Sequence, residues 1–185
     1  MDESKEIKET VMTSAMRYGL YSGLVLIVAS FSPFLLLGNV GDVLLSAYVS
    51  ILLTGVVTVI CLFRFTSIYK RSVGDGGLTY TQALAYSTRL LFFSCMIYMV
   101  GFYFYFRLYP TFFSDVMTQL VGVMSKAKDD ANIQKLLPQY IELQKQSANL
   151  SPLALAFEFG WTYIFCGFLV SLVSSYFAKG QSKIS

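Results

Sequence analysis

The sequence predicts an all-α integral membrane protein with four transmembrane helices and an extracytoplasmic amphipathic helical connection between spans three and four. Four uncharged apolar stretches, residues 18–37, 43–63, 90–106 and 159–178, each approach the roughly 20 residues that a helix needs to cross about 30 Å of hydrocarbon. The 185-residue chain is 55% hydrophobic and only 14% charged, whereas a soluble domain is about a quarter charged. Its Lys and Arg residues collect on alternate connections, as the positive-inside rule requires of a membrane protein.

The predicted spans cover residues 18–37, 43–63, 90–109 and 153–178 of one membrane domain, residues 1–185, and residues 111–151 form the helical insertion. Acidic and basic residues are mixed before span one, and no small-residue cleavage site follows that span. We therefore expect a retained helix and not a cleaved signal peptide. Residues 38–42 allow only a tight turn, so spans one and two are expected to form an antiparallel hairpin.

Small residues recur along the spans at intervals that place them on one helix face. Such residues let helix backbones approach closely inside a membrane, so they are candidate helix-packing positions. The candidates are Gly19, Gly23, Ser46, Ser50, Thr54, Gly160 and Gly167. The Ser/Thr stripe of span two is also compatible with a polar conduit, and the pattern leaves that alternative open.

Span three is dense in aromatic residues toward its second half. An interfacial belt accounts for Tyr105 and Tyr109. The density exceeds what a belt needs, so a groove for a lipid chain or a partner is a second interpretation. Ahead of this span, Thr79 or Thr81 is placed to cap a helix that leaves the glycine-rich turn at 74–77.

The connection between spans three and four contains two periodic apolar segments, residues 113–124 and 133–141, which predict two helices. Pro138 is expected to interrupt the second helix or to start a fresh turn. These helices could lie on the membrane surface, pack on each other or receive a partner, and the sequence does not rank the three arrangements.

Charge placement predicts the orientation of the chain. Lys and Arg lie before span one, between spans two and three and after span four, whereas residues 38–42 contain none. The connection between spans three and four also contains lysines, but only Arg107 lies immediately beside a span. Both termini are therefore expected to be cytoplasmic in a multi-pass protein. Arg107 and Glu158 fall near the outer boundary of spans three and four and form a candidate interface ion pair, with a proton or ion site as the alternative.

The chain offers no residue pattern that would make it an enzyme. It has no histidine, so the usual general base and the commonest metal ligand are missing, and we expect no catalytic, cofactor or metal site. Cys61, Cys95 and Cys166 fall one to a span and are interpreted as small buried packing residues. The net charge of +3 is spread out, which argues against nucleic acid as a partner. The expected partners are the lipid bilayer and either a membrane protein or further copies of the chain.

The run Tyr69-Lys-Arg, followed by Gly76-Gly-Leu-Thr-Tyr-Thr-Gln-Ala-Leu ahead of span three, resembles domain of unknown function 4199. That family consists of small four-span proteins of Gram-negative bacteria, with an extended connection between spans three and four that often follows a proline, as at Pro110. The resemblance implies a multi-pass protein of the bacterial inner membrane and no catalytic residue. Genes of the family often lie near a polyprenyl-phosphate type of membrane glycosyltransferase, which implies a role in the cell envelope.

The function expected from these observations is a non-catalytic scaffold or accessory subunit in cell-envelope assembly. The amphipathic outer connection and the small-residue helix faces support it, because both are surfaces for contact with other helices. The alternative is a small transporter or lipid-handling membrane protein, in which the aromatic span three and the Ser/Thr stripe would line a path.

Overall fold

The computed structural model describes residues 3–37, 43–73, 78–126, 131–147 and 150–178. These residues form six helices, α1 (Glu3–Leu37), α2 (Val43–Ser72), α3 (Tyr80–Leu108), α4 (Phe112–Lys126), α5 (Ala131–Ser147) and α6 (Pro152–Ala178). Helices α1, α2, α3 and α6 are long and apolar enough to span a membrane. The prediction of an all-α membrane protein with four transmembrane helices is confirmed. The turns predicted at 38–42 and 74–77 lie outside the described residues.

Three of the helices extend well beyond the apolar stretches that predicted them. α1 begins at Glu3, α2 continues to Ser72, and α3 begins at Tyr80. The extensions contain Lys, Arg, Gln and Glu, whose unbranched side chains lose little freedom in a helix. A boundary placed at the first charge therefore marks the edge of the hydrocarbon and not the end of the helix.

Helix α3 occupies the middle of the bundle. It packs against α1 on one side and α6 on the other, and α2 completes the bundle by packing on both α1 and α6. We call the end where α1 and α3 terminate and α2 and α6 begin the capped end, and the opposite end the open end. The expected contact between the first two helices is present, but each of the two makes a second contact outside the hairpin.

The start of α3 is fixed by a capping box. The Gln82 backbone N–H donates to the Thr79 hydroxyl at 3.3 Å, and the Thr79 backbone N–H donates to the Gln82 side-chain oxygen at 3.0 Å. Of the two threonines that the sequence proposed, Thr79 is thus the cap. Leu78 and Ala83, which flank this box, are both buried in the core, as in a hydrophobic staple.

The aromatic residues of α3 are mostly core residues. Tyr98, Phe102 and Phe106 are buried. The Phe102 ring stacks on Phe159 of α6 with centroids 5.2 Å apart, and it lies 5.1 Å from Phe31 of α1. Each such pair contributes about 0.5–1.5 kcal/mol beyond the area that it buries. Packing between α1, α3 and α6 therefore explains most of the density that the sequence left unexplained.

Helices α4 and α5 form a hairpin, called here the cap hairpin, over the capped end. Phe112 of α4 meets Phe34 of α1 edge to face at 4.7 Å, and Phe113 meets Phe159 of α6 at 5.8 Å. Farther along α4, the Gln119 side-chain oxygen accepts the Leu44 backbone N–H at 3.1 Å, which satisfies one of the unpaired donors at the start of α2. Helix α4 therefore lies across the ends of the transmembrane helices.

Both expectations for Pro138, an interruption of the second helix or the start of a fresh turn, are wrong, because α5 runs unbroken through it. Pro138 is exposed, so water can reach the backbone around the position where the proline removes a donor. At the start of α6, Pro152 instead occupies the first helical position, where a missing N–H costs little. The Ser151 hydroxyl accepts the Ala154 backbone N–H there at 3.2 Å.

Candidate functional site

All four candidate packing glycines lie against α3. A methyl group at Gly19 would come within 2.6 Å of Phe93 Cβ, and one at Gly23 within 2.6 Å of Ile97 Cβ. On α6, a methyl group at Gly160 would collide with Met99, and one at Gly167 with Leu91. The glycines therefore allow close approach of α1 and α6 to the central helix, and the glycines of α1 do not face α2.

The candidate residues of α2 face inward, where Ser46, Ser50 and Thr54 are buried. The Ser50 hydroxyl donates to the Ser30 backbone oxygen at 2.7 Å, and the Ser30 and Thr54 hydroxyls lie 2.8 Å apart. The Ser30 hydroxyl also donates to Tyr98 on α3 at 3.1 Å. We call Ser30, Ser50, Thr54 and Tyr98 the hydroxyl cluster. It joins α1, α2 and α3 through bonds that lie inside the bundle.

The structure does not bring Arg107 and Glu158 together. The Arg107 guanidinium donates to the Tyr103 hydroxyl on its own helix at 3.3 Å. Phe106 faces Phe159 of α6, and Arg107 lies about 100° farther round the helix. Glu158 is exposed on α6 and lines a different surface.

That surface is a cavity of about 480 Å³ between α2 and α6, which we call the lateral groove. One wall comes from α2 and the other from α6, while the aromatic residues of α3 form the floor. The lining residues include Ser50, Ile51, Thr54, Gly55 and Thr58 of α2, Tyr98 and Phe102 of α3, and Glu158, Phe159, Thr162, Cys166 and Val170 of α6. The volume lies within the roughly 300–1,000 Å³ of pockets that bind small molecules.

The lateral groove occupies only part of the length of the bundle. On α6 it runs from Glu158 to Val170, about 18 Å along the helix axis. Toward the open end the two helices come together, where the rings of Phe63 and Phe177 are 6.0 Å apart. The groove therefore begins near the capped end, and the contact between α2 and α6 bounds it toward the open end.

The chemistry of the groove is that of an apolar surface with one charge. Its wall hydroxyls at Ser50, Thr54 and Tyr98 belong to the hydroxyl cluster, and the Thr162 hydroxyl donates to the Glu158 backbone oxygen at 3.0 Å. The Glu158 carboxylate is the single charged group among the lining residues. Within the described part of the chain, the structure gives this carboxylate no ionic partner.

The cysteines differ more than the sequence suggested. Cys61 and Cys95 are buried, as expected for packing residues, but Cys166 is exposed and lines the lateral groove. The prediction that all three are buried is therefore wrong for Cys166. Across the described ranges, no group of three or more acidic or Cys residues could hold a metal ion.

Residues 17–180 match the model of the family described as "Protein of unknown function (DUF4199)". This match covers most of the chain. The protein belongs to this family. Neither the comparison with curated proteins nor the comparison with solved structures returns a match. Four of its helices are long and apolar enough to span a membrane, so this family member is a multi-pass membrane protein. Its candidate sites are identified from its geometry.

The sequence indicated a possible groove beside the aromatic span three and the Ser/Thr stripe, but it did not identify α6 of this family member as the second wall of the lateral groove. Its walls come from α2 and α6, which are far apart in the chain, and no periodicity shows that two such helices diverge. One signal was available: Glu158, Thr162 and Cys166 recur every four residues and so lie on one face of span four. That face is distinct from the small-residue face of span four, which contains Gly160 and Gly167.

Proposed function

We propose that this protein is a non-catalytic accessory subunit in cell-envelope assembly and that the cap hairpin binds its partner. The observation that carries this proposal is the position of α5. Among the described elements, α5 packs extensively on α4 alone. The Gln144 side chain donates to the Thr118 hydroxyl on α4 at 2.8 Å. Helix α5 is thus held away from the transmembrane helices and is open to contact.

The far face of α5 supplies apolar anchor residues. Leu136 and Leu143 are 44% and 48% exposed and lie seven residues apart, on the same side of the helix. An amphipathic helix with apolar residues at such intervals is a common recognition element for a groove or a second helix. A partner helix that covered both leucines would remove them from water.

The proposal is tested by crosslinking in the native host. A photoreactive amino acid at Gln139, between the two leucines, is expected to give a discrete adduct with a partner protein. The double change Leu136→Ser and Leu143→Ser should reduce that adduct several-fold while membrane insertion stays intact. Val123→Ser, which alters an exposed apolar residue of α4, is the matched control and should leave the adduct unchanged.

Two outcomes would count against the accessory role. One is the absence of any discrete adduct from Gln139 in an otherwise unaltered chain. The other is an adduct of equal yield in the double leucine variant and the Val123→Ser control, since the anchor residues would then contribute nothing to the contact.

The lateral groove favours a second function, lipid handling. It opens sideways between helices whose outer residues are apolar, such as Leu52 and Phe165. Its wall is apolar and its far end is closed, so the shape suits the holding of a lipid better than the conduction of a solute across the bilayer. This role is compatible with an accessory subunit that presents a lipid to its partner.

A further inference from the structure

We infer that the lateral groove selects lipids whose headgroup carries a primary ammonium, and that Glu158 is the residue that binds this ammonium. The inference rests on the lipid-handling function, because it requires a lipid in the groove. It goes further by naming the class of lipid and the residue that recognises it.

The hydrogen-bonding state of the groove leaves one strong acceptor unused. Ser30, Ser50, Thr54 and Tyr98 bond to one another across three helices. Thr162 donates to a backbone oxygen of its own helix. The Glu158 carboxylate is exposed, and among the described residues nothing compensates its charge. A ligand that supplies both a positive charge and N–H donors would satisfy it.

The depth of Glu158 matches a headgroup. It is the seventh residue of the 27-residue α6, which places it about 9 Å from the helix start in a helix about 40 Å long. The hydrocarbon occupies about 30 Å of that length. Glu158 therefore lies close to the boundary between hydrocarbon and headgroups, where a carboxylate can meet a lipid headgroup without crossing the apolar core.

The headgroup chemistry follows from what a carboxylate can accept. A primary ammonium has three N–H donors and forms short charge-assisted hydrogen bonds with a carboxylate. A quaternary choline headgroup carries the same charge but has no N–H to donate. A headgroup with only negative charge is repelled. Phosphatidylethanolamine should therefore bind better than phosphatidylcholine with the same acyl chains.

The acyl chain has a defined path below the headgroup. From Glu158 the groove passes Phe159 on one wall and Ile51 and Gly55 on the other, and it ends near Val170. These residues offer apolar contact along the cleft, and none of them adds a charge. The end of the cleft at the meeting of α2 and α6 would stop the chain within the bundle.

The inference is tested by photolabelling of the full chain in phosphatidylcholine vesicles. The vesicles contain a small fraction of phosphatidylethanolamine or phosphatidylcholine bearing the same diazirine-labelled acyl chain. The phosphatidylethanolamine probe should label groove residues of α2 and α6 several-fold more than the phosphatidylcholine probe. Both probes should label Trp161 and Phe165 equally, because these exposed side chains do not line the groove. Unlabelled phosphatidylethanolamine should compete only at the groove.

Two pairs of variants separate the headgroup from the chain. Glu158→Gln should reduce groove labelling by the phosphatidylethanolamine probe to the phosphatidylcholine level, whereas Glu142→Gln on α5 should keep the preference. Gly55→Leu should lower groove labelling by both probes, because its side chain projects into open space on the groove wall. Gly122→Leu, at an equally open glycine of α4, should have no effect.

Each contrary result has a distinct meaning. Equal groove labelling by the two probes, or a preference that survives in Glu158→Gln, would overturn the role of Glu158 while leaving a lipid in the groove. Labelling of the groove no stronger than that of Trp161 by either probe would overturn the lipid-handling function as well. Competition by unlabelled phosphatidylethanolamine at the groove of the unaltered chain decides whether the groove prefers this headgroup, even if a variant fails to fold.

Discussion

Ser30 shows how one small polar residue holds three transmembrane helices together. It is fully buried; its hydroxyl contacts Thr54 and Tyr98, and its backbone oxygen accepts from Ser50. Inside hydrocarbon a polar group that loses its partner has no water to replace it. The sequence pointed to Ser50 and Thr54 through their spacing, but Ser30 belongs to no such repeat and was not identified.

Ser30→Ala is expected to destabilise the bundle by about 1–2 kcal/mol, because the buried hydroxyls of Thr54 and Tyr98 lose the group that links them. The free energy of unfolding, measured in mixed micelles of mild detergent and SDS, gives the size of the effect. Ser32→Ala is the control: among the described residues, the Ser32 hydroxyl hydrogen-bonds only to the Ala29 backbone oxygen of its own helix, at 3.5 Å. Equal stability of the two variants would remove the structural role of the hydroxyl cluster.

At the scale of helices, the glycine positions could be predicted but their partner could not. Spacing indicated that Gly19 and Gly23 share a face. It carried no information on which helix that face meets. The structure places both glycines against α3, because α3 lies between α1 and α6 in the bundle. Contacts between helices distant in the chain are set by packing of the whole bundle.

Gly23→Ala is expected to cost about 1–3 kcal/mol, the usual cost of overpacking a tight contact. The added methyl group would lie 2.6 Å from Ile97 Cβ and 2.8 Å from the Ser94 backbone oxygen, and backbone atoms cannot move aside cheaply. Gly55→Ala is the matched control, because no atom of the described residues lies within 4 Å of the new methyl group and the better helix propensity of alanine adds up to about 1 kcal/mol. Unfolding in the same micelles compares the two, and a Gly23→Ala protein as stable as Gly55→Ala would contradict the close packing of α1 and α3.

For the whole molecule, the number and kind of helices followed from the sequence because the thickness of a bilayer fixes the length of an apolar span. The two helices α4 and α5 followed from two amphipathic periods. The position of the cap hairpin across the ends of α1, α2 and α6 could not be predicted, because this position depends on individual contacts such as that of Gln119 with Leu44. The lateral groove and the position of Glu158 in it required the three-dimensional packing of α2 against α6.

Both proposed surfaces lie toward the capped end of the bundle. The basic residues Lys70 and Arg71 end α2 at the opposite, open end, which supports a cytoplasmic open end by the positive-inside rule. The cap hairpin and the mouth of the groove are therefore expected to face the extracytoplasmic side.

Cysteine accessibility tests this claim most directly. In a chain whose three natural cysteines are replaced by alanine, single cysteines are introduced at Gln139 of α5 and at Ser72 of α2, both exposed polar positions. A membrane-impermeant maleimide applied to spheroplasts should label Gln139→Cys at once and Ser72→Cys only after lysis. The reverse pattern, or labelling of both positions before lysis, would contradict the orientation.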